Sequence, residues 1–231
     1  MSSKVKWRGD PLPRGRHKLP AAAVRASQRE RIVRAMLECV ARNGYEATTV
    51  PEVVATARVS RNAFYELFKD KTDCFIAVCD QGAQELLAEL VALASEPDWT
   101  RALLEGTRRY LRWWQERPGF SRAYFLSLPS AGARAMRQRE RQYAAFRAMF
   151  EDLGRRARAE QPELAPLPAI VPRVLVLAIT ELVAEEVRAG AVERLGELDD
   201  DVASLALRLL SDEATAERML AAQALVPTGS G

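Results

Sequence analysis

The chain holds one histidine, His17, only three cysteines and 7% aromatic residues in a length of 231. A single histidine rules out a His-based nucleophile triad and the usual imidazole-rich metal site. An odd number of cysteines argues against a disulfide framework. Cys39 falls on the apolar stripe of a helical pattern, and Cys74 and Cys79 do not share a helical face. Buried thiols in a reducing compartment are therefore expected. No glycine-rich phosphate loop appears. No uncharged run approaches the ~18 residues that a membrane span needs. The basic N-terminus has no apolar run behind it, so no signal peptide is expected. Carboxylate pairs such as Glu185-Glu186 or Asp199 and Asp201 fall where exposed helix ends are expected. The expectation is a cytoplasmic protein that is not an enzyme, with no catalytic residue, no metal, no cofactor and no membrane partner.

What is present points to helices. Hydrophobic residues make up 48% and charged residues 28%, ordinary values for a globular chain. Ala, Leu, Arg and Glu dominate, and no long alternation of β-branched residues occurs. The fold class expected is all-α. Charge is unevenly spread: Met1–Lys71 carries 15 Lys+Arg and 7 Asp+Glu, a balance of +8. The remainder carries 34−15 = 19 basic and 31−7 = 24 acidic residues, a balance of −5. A basic end on an acidic body suits contact with a polyanion.

Residues 1–22 contain KVKWRGDPLPRGRHKLP and read as a flexible cationic arm. Ser27-x-x-Glu30 is a capping-box pattern expected to start a helix. Ile32, Met36, Cys39 and Val40 then form one apolar stripe, and Asn43-Gly44 closes it. Thr49 is a good N-cap for a second short helix, with Pro51 in its first turn. Ala57-Arg58-Val59 is the turn, and Ser60 caps a third helix. In that helix Phe64, Leu67 and Phe68 can point inward, leaving Arg61, Asn62, Ala63, Tyr65 and Glu66 outside. Asp70-x-x-Asp73 opens a fourth helix to about Ala94.

Two short helices joined by so tight a turn form a helix-turn-helix, whose second helix enters the major groove of DNA. Arg61 can donate a bidentate pair to guanine, Asn62 can bond adenine, and Tyr65 can meet a phosphate or a thymine methyl. Thr49 and Lys71 stand at helix N-termini, where phosphates are held. The candidate DNA-binding set is Thr49, Pro51, Ser60, Arg61, Asn62, Ala63, Tyr65 and Lys71. Arg14 and Arg16 join it as arm residues that could enter the minor groove.

Asn43-Gly44, Thr48-Thr49-Val50, Val59-Ser60, Phe64-Tyr65 and Phe68-Lys69-Asp70-Lys71 together carry a resemblance. Residues Ser27 to about Val78 resemble the N-terminal domain of TetR-family transcriptional regulators. The resemblance implies a homodimeric, operator-binding protein, most often a repressor, which a small ligand bound in its C-terminal domain releases from DNA. Three positions depart from the pattern. Arg58 stands where the family usually has Gly, Pro51 replaces a common basic contact, and Leu67 stands where His is frequent. A left-handed Arg costs ~1–2 kcal/mol, so the turn is expected to be strained or differently shaped.

The expected organisation is thus an N-terminal three-helix helix-turn-helix domain, residues 23–73, followed by a helical ligand-binding and dimerisation domain, residues 74–231. Tyr110, Trp113, Trp114, Phe120, Tyr124, Phe125, Tyr143, Phe146 and Phe150 fall on three neighbouring helical segments. They read either as ordinary core or as the lining of a pocket for a small, largely apolar effector of unknown identity. The run VLVLAITELVAEEV after Arg173 is apolar almost all round and Asp199–Leu210 is amphipathic, and a second copy of the chain is one economical cover for a second apolar face. Val174, Leu177, Leu182, Leu205 and Leu209 are the candidate dimer interface. A ligand-independent, architectural DNA-binding protein is the alternative, and it would need no pocket.

Overall fold

The computed structural model describes residues Pro20 to Ala224. Among these, every regular element is helical. The first helix, α1, spans Ala21–Ala47. It starts six residues ahead of the expected Ser27 cap, because Ala21–Ala23 are strong helix formers and Pro20 suits the position before a first turn. Ala21 and Ala22 are therefore helical rather than part of an arm. Gly44, at φ 78, breaks α1 where Asn43-Gly44 was expected to close it. The remaining 1–19 segment lies outside the described residues, and with it Arg14, Arg16 and His17.

Next come α2 (Val50–Ala57), α3 (Arg61–Leu67), α4 (Lys71–Ala94) and α5 (Trp99–Gln115). Pro118 opens the short α6 (Pro118–Arg122), which continues as one π-helical turn, Ala123–Ser127, and a 3-10 turn, Pro129–Ala131. The long α7 covers Ala133–Glu160. After the proline-rich connection come α8 (Val171–Ala189), a 3-10 stretch (Val192–Leu198), α9 (Asp199–Leu210) and α10 (Glu213–Ala224). The sequence reading did not anticipate α10. Its signal is Asp212, which accepts from the Thr215 N–H at 2.7 Å and so caps the first turn. No helix among the described residues is long and apolar enough to cross a membrane.

The chain divides into two compact units. Met1–Gln84 with Glu116–Glu140 forms one, and Glu85–Gln115 with Arg141–Gly231 the other. The first therefore takes in more than the three helix-turn-helix elements. Its core is α1, whose Ile32, Val33, Met36, Cys39 and Val40 are buried. Against α1 pack α2, α3, α6 and the π-helical turn. Phe120 rests directly on α4 at Gly82, where a Cβ would overlap the phenyl ring.

In the second unit Trp99, Leu103, Leu153, Leu175, Leu207 and Leu210 form one buried cluster. Two arginines of α7 satisfy carbonyls that helix ends leave open. Arg156 donates to Ala94 O at 2.8 Å and Pro97 O at 2.9 Å. Arg158 donates to Ala165 O at 2.7 Å and Leu210 O at 2.8 Å.

The Gly82 contact gives a direct test. Gly82→Ala forces the Phe120 ring off α4 and should destabilise the protein by about 1–3 kcal/mol, as overpacking does. Urea unfolding of the two proteins measures the difference.

Candidate nucleic-acid interface

α3 has only seven residues, too few to persist alone. Local caps and tertiary anchors define it. The Ser60 hydroxyl accepts from the Ala63 N–H at 3.1 Å, and Thr49 does the same for the Glu52 N–H of α2 at 3.4 Å. Phe64 and Phe68 are buried, with ring centroids 5.6 Å apart. The Arg29 guanidinium of α1 lies 5.6 Å from the Phe68 ring centroid.

The turn before α3 is a helix C-cap built around Arg58. Arg58 has φ 53 and ψ 49, the left-handed region. Its N–H donates to Ala55 O at 3.2 Å, and the Val59 N–H donates to Val54 O at 3.1 Å. This pattern closes α2 as a glycine C-cap would. Arg31 reaches across from α1 and donates to the carbonyls of Ala57 and Arg58, at 3.4 and 3.3 Å. Sequence reasoning missed this clasp, since no local pattern links two residues 27 positions apart.

The outer face of α3 holds Arg61, Asn62, Tyr65 and Glu66, all exposed. The Arg61 guanidinium sits 5.6 Å from the Tyr65 ring centroid, so the two present a joint cationic and aromatic surface. Ser60, Thr49 and Pro51 are also exposed. Ala63 is not: it is 7% exposed. It stands one turn before Leu67 on the inward side, and its small side chain lets α3 lie close to its neighbours. The expectation that Ala63 faces outward is corrected accordingly.

Lys71 has work within the fold. Its Nζ donates to the α1 carbonyls of Tyr45 and Glu46, at 2.8 and 3.2 Å, and lies 4.3 Å from the Tyr45 ring centroid. The Tyr45 hydroxyl bonds Thr72 Oγ1 at 2.7 Å. Lys71 thus ties the exit of α3 to the end of α1. Asp70 accepts from the Asp73 N–H at 2.7 Å and from Arg134 at 2.8 Å. Partial burial opposes ionisation of Asp70, but the Asp73 N–H and Arg134 outweigh it and hold the carboxyl below its ordinary 3.8.

This arrangement is a helix-turn-helix with a polar, partly cationic outer face on its second helix. Residues 32–78 match the sequence model of the bacterial regulatory proteins of the tetR family. This stretch is similar to the DNA-binding domain of TetR-family regulators. A relative is the HTH-type transcriptional repressor AcnR of Corynebacterium diphtheriae, 29% identical over 35% of this chain and 49% of that protein. The match spans about half of that relative's length.

Solved structures share the wider TetR-like fold. The fatty acid degradation regulator FadR of Bacillus halodurans superposes with a TM-score of 0.71 at 15% identity, covering 78% of this chain and 94% of that one. FadR of Bacillus subtilis gives 0.69 at 17%, over 79% and 97%. A TetR regulator of Haloarcula marismortui gives 0.68 at 19%, over 78% and 96%. These likenesses carry the all-α architecture, an N-terminal helix-turn-helix domain followed by a helical domain.

The aromatic residues expected to line a pocket form one group in each compact unit. In the first, Phe120, Tyr124 and Phe125 are buried, with Phe120 and Tyr124 stacked at 6.0 Å and Tyr124 edge-on to Phe125 at 5.1 Å. In the second, Tyr110 lies 6.2 Å from Trp114 and 6.1 Å from Phe146, and Trp113 is edge-on to Trp114 at 5.0 Å. Burial pushes the Tyr110 hydroxyl well above its ordinary value, against a hydrogen bond with Thr180. Tyr143 and Phe150 are half-buried, and Phe150 packs on the cluster around Trp99. On α8 and α9, Val174, Leu177 and Leu205 are exposed, while Leu182 and Leu209 are half-buried.

Two outcomes test this geometry. Ser60→Ala removes the α3 cap and should cost about 1 kcal/mol of stability by denaturant titration. The second concerns pH. A carboxyl held low when folded adds stability above its unfolded value of 3.8, and that stability is lost as pH falls through the lower folded value. Asp70→Asn should therefore show a flatter urea midpoint than the wild type between about pH 5 and about pH 2.

Proposed function

We propose that the protein is a dimeric, sequence-reading transcriptional repressor, released from its operator by a small, largely apolar effector. The observation that carries this reading is the outer face of α3. Arg61, Asn62 and Tyr65 stand free of the core on a helix whose caps and inward face are fixed by its neighbours. Those side chains suit base edges and phosphates in a major groove. The basic balance of Met1–Lys71 adds the sequence-independent attraction to phosphates. The repressor activity of the AcnR relative supports the direction of control.

The dimer follows from exposed apolar side chains. Ile170, Val174 and Leu177 recur at helical spacing along the start of α8, and Leu205 on α9 is likewise exposed. Large apolar side chains at that spacing favour a partner surface. A second copy of the chain supplies one and sets two recognition helices for two half-sites.

The effector site is drawn from the buried aromatic side chains. Tyr110 and Thr180 place a hydrogen-bonding pair among apolar rings in the second unit, a lining that suits a mainly apolar ligand with one polar group. The same fold in the Bacillus subtilis FadR structure holds stearoyl-CoA. Release is a population shift: the effector binds better to the conformation whose recognition helices are mis-spaced for the operator. α4 begins at Lys71, directly after α3, and its tilt is the lever.

Selection from a random duplex pool tests the reading of DNA. The expected product is a palindrome whose half-sites lie about one helical turn apart or wider; binding without sequence preference would remove the repressor reading. Leu177→Asp and Leu205→Asp should yield monomers by sedimentation and weaken operator binding at least tenfold, because one half-site is lost. A dimer that persists in both variants would place the interface elsewhere.

A further inference from the structure

Arg58 is the sole non-glycine residue with positive φ among the described residues. The turn's hydrogen bonds explain why a left-handed residue is needed there, and Gly or Asn would meet that need with less strain. They do not explain an arginine. Strained conformers of this kind concentrate at binding sites, where the side chain has a use that outweighs the cost.

The surroundings say what that use is. The Arg58 side chain is exposed and has no ion-pair partner among the described residues. Two cations of the helix-turn-helix are committed otherwise: Lys71 to Tyr45 O at 2.8 Å, and Arg31 to the turn carbonyls. Arg31 holds the Arg58 carbonyl toward α1, which fixes the backbone from which the guanidinium projects. Arg58 precedes the α3 N-cap, Ser60, by two residues, a span of at most about 7 Å. In a docked helix-turn-helix the N-terminal half of the second helix meets the bases, so the turn before it lies near the phosphate rim. Pro51, meanwhile, puts no charge in the first turn of α2.

We infer that Arg58 is a DNA-phosphate contact, kept beside the recognition helix in a conformation that disfavours it. This rests on the DNA-binding reading of α3. A guanidinium there neutralises one phosphate per protomer and favours all sequences equally, in contrast to Arg61 and Asn62, which discriminate bases.

The test compares full-length wild type with Arg58→Gly, Arg58→Asn and Arg58→Lys. Each is titrated against the duplex selected from the random pool and against a mixed-sequence duplex, over a range of salt. Arg58→Gly and Arg58→Asn should raise Tm by about 2–4 °C, since strain is relieved. Both should bind about three- to tenfold more weakly to both duplexes at low salt. The slope of log affinity against log salt should become shallower by about 0.9 per protomer. Arg58→Lys should keep the wild-type slope. Unchanged affinity and slope in Arg58→Gly would overturn the inference. Weaker binding with the wild-type slope would also overturn it, by assigning the loss to the shape of the turn. A wild type that binds neither duplex would remove the DNA-binding reading itself, an outcome distinct from either.

Discussion

A helix as short as α3, with seven residues, forms in water only when something else holds it. Everything that this protein presents outward on Arg61–Leu67 therefore depends on the burial of Phe64 and Phe68 against α1 and its neighbours. The two rings give α3 an inward side. The Ser60 cap fixes its start, and the Phe68 N–H, donating to Phe64 O at 2.8 Å, fixes its end. Once those are set, Arg61, Asn62 and Tyr65 have only the solvent side left to occupy. A polar face on a rigid platform loses less side-chain freedom on docking than one on a mobile loop.

The same constraint explains how the domain treats its own cations. Lys71 and Arg31 both bond backbone carbonyls of neighbouring helices. Each converts a positive charge into a tether at one end of the helix-turn-helix: Arg31 at the turn, Lys71 at the exit from α3. Helix C-termini carry partial negative charge and open carbonyls, so a cation is the natural plug there. The tether at the turn matters more here than in a chain with glycine at that place, because the backbone of Arg58 is held against its own preference.

Much of this was legible in the sequence, and the reason is local chemistry. Thr49, Ser60 and Gly44 announce helix ends through side-chain oxygens or freedom in φ, which act over three or four residues. The periodic stripe Ile32, Met36, Cys39, Val40 likewise needs only its own helix to be read. What stayed hidden acts across the fold. The Arg31 clasp, the Lys71 plug and the fit of Phe120 on Gly82 join residues far apart in the chain. Ala63 was misplaced because a methyl group carries almost no periodic signal, and the closeness of α3 to its supports decided its side. The early start of α1 shows a propensity run prevailing over a capping pattern. Ser27 and Glu30 are compatible with helix interior, so the pattern marks a possible start and not a necessary one.

A release mechanism must also meet an energetic scale. Coupling between an effector and an operator site typically amounts to about 1–3 kcal/mol. A single contact of α4 within the first unit can be perturbed on that scale. Phe120 on Gly82 is a ring seated where a single added methyl costs about as much. The charge-assisted bond from Arg134 to Asp70 is half-exposed and worth less. Under the proposed reading no large rearrangement is required of the helix-turn-helix itself, whose caps, rings and tethers favour one arrangement. It is enough that the effector favours a packing in which one contact on α4 is given up. Because α4 follows α3 after a link of three residues, Phe68–Asp70, a change in its tilt moves the reading face as a rigid piece. Under the proposed reading, the rigidity of the short helix keeps the reading face intact while a shift along α4 displaces it.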